Sequence, residues 1–270
     1  ALGNEALENA TTASNNVAIG HHCMTNTTTG ASNVAAGSFS LESNTTGHSN
    51  SALGHSTLQN NTTGTQNVAI GYAALDANTT ASYNVAIGYN ALTDNQTGIR
   101  NTAIGDHALA DFTGNDCTAI GYLSARNTTG ADNTAIGSYT LVYNTSGIKN
   151  CAMGYAALYS NTTGNHNTSL GTGSLNLNTT GENNVAIGSQ ALDANTTASN
   201  NVAIGHDALS TVTTYGANVA IGTRALQNGT SAEDNVCIGY QAGDGIAGGD
   251  GNVIIGHGAD VSSSGSDNEY

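Results

Sequence analysis

The chain has 270 residues, yet only 5% are aromatic and there is no Trp or Pro, so it lacks the bulky side chains that fill a globular core of this length. A formal net charge of -15 with four basic residues argues against a surface for nucleic acid or for an anionic membrane. No apolar run is long enough to span a bilayer. Disorder or regular stacking of small residues remains, and apolar residues at fixed intervals decide for stacking.

In chain order, the sequence opens in mid-repeat at Ala1-Leu2-Gly3, and we expect it to be a piece of a longer protein. The motif Asn-Val-Ala-Ile-Gly, or a close variant, then closes at Gly20, Gly37, Gly54, Gly71, Gly88 and Gly105. It continues at Gly121, Gly137, Gly154, Gly171, Gly188, Gly205, Gly222, Gly239 and Gly256. Every interval is 17 residues except the two flanking Gly121, which are 16 and lose a residue in the variable loop. The repeat domain spans residues 1–256, and 257–270 reads as the C-terminal end of the array leading to a further segment.

Within each unit the motif predicts a short strand. Its period of two puts Val or Thr and Ile on one face and Ala on the other. We place the motif Ile inside, as at Ile70, Ile87, Ile104 and Ile187. The Leu four residues after Gly also goes inside, as at Leu58, Leu75, Leu92 and Leu192. Gly permits a sharp bend. The Ala-Leu pair predicts a second short strand or extended segment. Asn-Thr-Thr-Gly predicts a turn, with Asn tolerating left-handed geometry and Gly supplying positive φ. One unit is one coil. Stacking at about 4.8 Å makes sixteen coils a rod of roughly 75 Å. The fold class is all-β, a parallel β-solenoid or β-roll. Asn opens fourteen of the fifteen complete motifs, which suits an amide ladder bonding coil to coil.

A core of one Val or Thr, one Ile and one Leu per coil is thin. The motif Ala residues, among them Ala69, Ala86, Ala103, Ala186, Ala203 and Ala220, would form a small apolar stripe on the opposite face. We expect this stripe to be an oligomer interface, with three chains around an axis.

The Asn-Val-Ala-Ile-Gly core followed by Ala-Leu resembles the head repeats of trimeric autotransporter adhesins and the repeats of phage tail fibres. The resemblance runs from Ala1 to about Ile255. It implies a left-handed β-roll in a homotrimer, placed outside the cell, on its surface or on a virion. It also implies a surface glycan or matrix protein as partner. The units here are longer than those of adhesin heads, by residues around Asn-Thr-Thr-Gly.

The remaining chemistry-bearing residues favour plain readings. His21, His55, His206 and His257 share the first position after Gly with Tyr, Ser, Thr, Asn and Asp, which marks a variable outward position. Cys23, Cys117, Cys151 and Cys237 stand at four different repeat positions without a C-x-x-C pair. Zinc is not supported, and Cys151 and Cys237 read as small buried residues. Asp76, Asp193, Asp94 and Asp111 do not form the paired carboxylates of a glycosidase. Asp234, Asp244, Asp250 and Asp260 crowd the Gly-rich end without a Ca2+-binding nonapeptide. We assign no catalytic residue, no metal and no cofactor. Asn26, Asn44, Asn61, Asn78, Asn127, Asn161, Asn178 and Asn195 open Asn-Thr-Thr sequons. These are turn residues first, and in a source that glycosylates extracellular Asn they would carry a column of glycans. Tyr72, Tyr89, Tyr122, Tyr155 and Tyr240 follow the motif Gly, where surface placement is favoured over a sugar subsite.

The expected function is a non-enzymatic structural and adhesive fibre segment that inserts into no membrane. The alternative is ice binding by Thr ladders. Thr11, Thr28, Thr45, Thr62 and Thr79 form one column, and Thr12, Thr29, Thr46, Thr63 and Thr80 the next.

Overall fold

The computed structural model describes residues 1–261, Gly265 and Asp267. Two compact units divide the chain, Ala1–Asp132 and Asn133–Tyr270. The boundary falls at the end of the second 16-residue repeat. Among the described residues there is no helix, and each unit is a β-solenoid with one coil per repeat.

The first unit carries seven three-residue strands: β1 (Val17–Ile19), β2 (Val34–Ala36), β3 (Ser51–Leu53), β4 (Val68–Ile70), β5 (Val85–Ile87), β6 (Thr102–Ile104) and β7 (Thr118–Ile120). The second carries eight: β8 (Thr134–Ile136), β9 (Cys151–Met153), β10 (Thr168–Leu170), β11 (Val185–Ile187), β12 (Val202–Ile204), β13 (Val219–Ile221), β14 (Val236–Ile238) and β15 (Val253–Ile255). Within each unit every strand pairs in parallel with its sequence neighbour, equivalent residue against equivalent residue, as in Val68↔Val85, Ala69↔Ala86 and Ile70↔Ile87. The partial first copy joins through a parallel bridge of Leu2 to Ile19.

Alternation along the strand holds, but its sense is the reverse of the expectation. The motif Ala points inward and is fully buried in every complete copy that has it, from Ala18 to Ala220. The residues on either side point outward. Ile70, Ile87 and Ile104 are only half-buried, and Ile187 is exposed. The reason is the narrowness of the coil. The residue three after Gly lies directly across the interior from the motif Ala position. At one coil both are Ser, and Ser169 Oγ sits 2.6 Å from Ser174 Oγ. Elsewhere Ser40 Oγ donates to the Ala52 carbonyl at 3.3 Å, and Cys23 Sγ to the Ala35 carbonyl at 3.4 Å. A gap that two hydroxyls bridge holds a methyl group, not an isoleucine side chain.

The Leu column is inside as expected, and Leu41, Leu58, Leu75, Leu92 and Leu192 are fully buried. The segment carrying it is not a strand. It is a run of turns in which the residues two and four after Gly take positive φ, as at Ala73 (49°) and Leu75 (55°). An L-residue in this region gives up roughly 1–2 kcal/mol. Stacking compensates by satisfying the backbone in both directions: Ala73 N–H donates to His55 of the preceding coil and Leu75 N–H to Ala91 of the next, each at 3.0 Å. The same twist lets consecutive residues, Ala74 and Leu75, both face inward.

Two expectations for the turns are also corrected. The left-handed residue is not the Asn of Asn-Thr-Thr-Gly, and Gly47 and Gly64 do not supply positive φ. The third left-handed position is the residue just before the motif Asn, as at Ser49 (59°) and Gln66 (58°). The motif Gly does need its freedom. Gly88 has φ of 142°, and a Cβ there would meet the Gly105 carbonyl oxygen at 2.3 Å. Where the first short repeat loses a residue, Phe112 takes the place of the buried Asn and is itself fully buried. A large ring thus fills the space of the deletion.

Candidate functional site

Two amide columns run inside the coils. In the first, each motif Asn spans three coils. Asn67 Nδ2 donates to the Ala81 carbonyl at 2.9 Å, its N–H donates to Asn50 Oδ1 at 3.0 Å, and its own Oδ1 accepts from the Asn84 N–H at 3.0 Å. This is the coil-to-coil ladder expected from the sequence. The second column is the Asn of Asn-Thr-Thr-Gly. Asn61 Nδ2 donates to Asn44 Oδ1 at 2.9 Å and to the Gly64 carbonyl at 3.1 Å, and Asn178 Nδ2 donates to Asn161 Oδ1 at 2.7 Å. It ends where its pattern ends. The Asn78 and Asn195 Oδ1 atoms are left without a donor. The next residue beyond Asn195 is Val212, while Asn95 beyond Asn78 turns its amide onto Gly98.

This second column overturns the glycan expectation at six sequons. Asn44, Asn61, Asn78, Asn161, Asn178 and Asn195 are fully buried, so no glycan attaches to them in the folded chain. Asn26 and Asn127 differ by register. In their repeats Thr27 and Thr128 occupy the buried column instead, which leaves Asn26 exposed and Asn127 half-buried.

The interface expectation also fails at its residues. Ala69, Ala86, Ala103, Ala186, Ala203 and Ala220 are buried within their own coils and present no surface to another chain. The apolar face turned outward belongs to their neighbours. Val17 is 47% exposed, Ile19 45% and Met153 46%, and the equivalent Val, Thr, Ile and Leu residues continue this face along each unit. Cys151 stands on this outer face, half-buried and not enclosed as expected, whereas Cys23, Cys117 and Cys237 are buried; no disulfide joins any of the four. Burial pushes the Cys237 thiol up to about 12.

The Thr columns do not form one flat array. Hydroxyls of the first donate to the carbonyl of the next coil, Thr45 to Thr62 and Thr62 to Thr79, each at 3.0 Å. The second column, with Thr46, Thr63 and Thr80, is exposed in single file, while Thr28, Thr45, Thr62 and Thr79 of the first are half-buried.

The acids are dispersed. Asp76 accepts from the Thr93 hydroxyl at 2.6 Å. Asp94 is held above the ordinary carboxylate range, chiefly by desolvation and then by the charges of Asp111 and Asp76. Asp250 and Asp260 cap backbone amides of Glu233 and Gly245. Arg100 grips Asp116 with two bonds, of 2.6 and 2.8 Å, on the surface. Among the described residues no three His, Cys, Asp or Glu side chains converge as metal ligands would.

Aromatic residues form two distinct arrangements. In the first unit, rings after the motif Gly stack on one another along the coils. His55 and Tyr72 lie 5.3 Å apart at 8°, and Tyr72 and Tyr89 lie 5.3 Å apart at 13°. In the second unit, tyrosines meet edge to face. Tyr143 and Tyr159 lie 5.0 Å apart at 86°, with hydroxyls 3.5 Å from each other, and Tyr139 and Tyr155 lie 5.8 Å apart at 74°. The Tyr143 hydroxyl, then burial, raises the Tyr159 phenol above its ordinary range. With Ala156 and Asn176, Tyr139, Tyr155 and Tyr159 line an open cleft of about 320 Å3. Of these tyrosines, only Tyr155 stands out in the sequence by following a motif Gly. The signal for the others was spacing. Tyr139 and Tyr155, like Tyr143 and Tyr159, are 16 residues apart and so fall in adjacent columns of neighbouring coils.

No protein-family model, curated protein or solved structure matches the chain.

Proposed function

We propose that the chain is a non-enzymatic segment of an extracellular or virion fibre, assembled as a homotrimer through the outer face of its strands. The observation that carries this reading is the row of outward Val and Ile residues, with Ile19 at 45% exposure and Leu53 at 40%. Water faces a continuous apolar surface in each unit, and such surfaces are association sites. The number three comes from the likeness of the motif to adhesin-head repeats. A single chain already encloses its Ala, Leu and Asn columns, so association covers the outer face and is not what creates the core. The dispersed acids give catalysis no constellation to work with. Ice binding is the weaker reading, because the hydroxyls of one Thr column are bonded within the coil stack and the other column is a single file.

Sedimentation equilibrium tests the proposal. The parent chain is expected to run as a trimer. The double variant Ile87→Arg with Ile204→Arg, one substitution in each unit, is expected to run as a folded monomer. A parent chain that stays monomeric at micromolar concentration sinks the assembly and the fibre reading with it.

A further inference from the structure

The tyrosine cleft of the second unit departs from the repeat in a way the solenoid does not require. Tyr155 is 58% exposed and Tyr143 47%, although each touches another tyrosine. In each near-perpendicular pair the rings meet edge to face and do not stack. The rings of the first unit instead lie face to face, His55 on Tyr72 and Tyr72 on Tyr89. The cleft also has a step built into it. One coil on from Ala156, the same repeat position is Gly173, where an added Cβ would meet only Gln190 Cγ, at 3.9 Å. The backbone is held rigid there, with the Gly173 N–H donating to the Tyr155 carbonyl at 2.9 Å. Tyrosine walls over an Ala floor, next to an empty position, make a concavity rather than a ridge.

We infer that this cleft binds a neutral pyranose sugar, as a monosaccharide or as one unit of a glycan. Its volume of about 320 Å3 lies at the small end of the usual range for ligand clefts. A pyranose ring presents a face of C–H bonds, slightly positive, which complements the negative face of an aromatic ring. Its rim of hydroxyls matches the phenol oxygens of Tyr139 and Tyr159 and the amide of Asn176. That amide is already oriented, since Asn176 Nδ2 donates to the Ala156 carbonyl at 3.1 Å. No charged side chain lines the cleft, which disfavours phosphorylated or acidic sugars. The site lies within one chain and does not depend on assembly. It names a ligand class for an adhesive fibre but stands without that reading.

The test uses the full chain with ring-13C tyrosine. The 11 tyrosines and the absence of Trp keep the aromatic spectrum readable. Methyl glucoside, methyl galactoside, methyl mannoside and N-acetylglucosamine are titrated separately to about 10 mM, enough to occupy a site of millimolar Kd. At least one is expected to shift Tyr139, Tyr155 and Tyr159 while leaving Tyr72 and Tyr89 in place. Tyr155→Ala is expected to weaken that binding about tenfold, the scale of one lost aromatic contact. Should that variant unfold by circular dichroism, Tyr159→Ala, in the same cleft wall, takes its place. Silence with all four sugars overturns the inference. So does an equal response at Tyr72 and Tyr89, a titration unchanged by the variant, or tyrosine shifts that track protein concentration alone and so mark a contact between copies.

Discussion

The two faces of a single strand differ more than any two coils do. Inward from β5, Ala86 fills a gap sized for a methyl group; outward, Val85 and Ile87 meet the surface. The larger and more apolar residues are on the outside. Hydrophobicity therefore does not choose the inner face here. Available volume does, because where Ala91 or Ser174 stands opposite the strand the gap is too narrow for a branched side chain; the last strand, with buried Ile254 at the inner position, is the exception. The consequence is a solenoid whose core is satisfied chain by chain and whose outer face asks for a partner.

The largest expected effect breaks this comparison directly. Ala103→Arg or Ala186→Arg should unfold the chain, since the side chain would enter a filled interior where an unpaired charge costs several kcal/mol. Ile87→Arg on the outer face should leave the chain folded, because its cost falls on association between copies and not on the core. Far-UV circular dichroism melts decide between the two, and the opposite ranking would restore the interior Ile. The next effect is the Leu column. Leu75→Ala should destabilise the first unit by about 2–5 kcal/mol in urea, as for other fully buried leucines. A smaller loss is expected for Asn67→Ala, about 1–3 kcal/mol, because it orphans the Asn84 N–H and leaves the Ala81 carbonyl only the bond from Asn78 Nδ2. Hydrogen exchange should show the added opening concentrated in the coils around β4.

The smallest effect compares two thiols on the two faces. Cys237 occupies an Ala position inside and Cys151 a Val/Thr position outside. In the monomeric variant Ile87→Arg with Ile204→Arg, iodoacetamide at pH 8 should label Cys151 and spare Cys237 until the chain is denatured. The raised Cys237 thiol also sets a sign with pH. Its folded value of about 12 exceeds its ordinary value of 9.0, so the neutral thiol is what folding favours. That contribution is complete below pH 9 and is lost as pH rises toward 12. A Cys237→Ala chain should show a flatter alkaline limb in urea melts, and an unchanged limb would count against burial of this thiol.

Much of the architecture was legible. A 17-residue period with motif Asn at one end and Gly at the other specifies coils, parallel in-register pairing and an amide ladder, because a stacked strand tolerates no slip. The Leu column was legible for the same reason. The sense of the strand was not, since alternation groups residues by face without saying which face is enclosed. The sequons misled similarly. Asn in Asn-Thr-Thr-Gly is a good turn residue in isolation, yet the coil turns its side chain inward to bond the coil above. The tyrosine cleft was hidden because its members are apart in sequence and meet only because a separation of 16, one short of the 17-residue coil, puts them in adjacent columns of neighbouring coils.

By itself, then, the sequence determined the period, the coil and the ladders, all of which follow from identical residues recurring at a fixed interval. Only the tertiary structure decided that Ala lies inside and Ile outside, that six sequon asparagines are buried, and that tyrosines meet edge to face around a cleft. Each of these depends on the distance across a coil or between coils, and distances through space are set by how the turns close, with Leu75 and its equivalents in left-handed conformations that no propensity would assign to leucine.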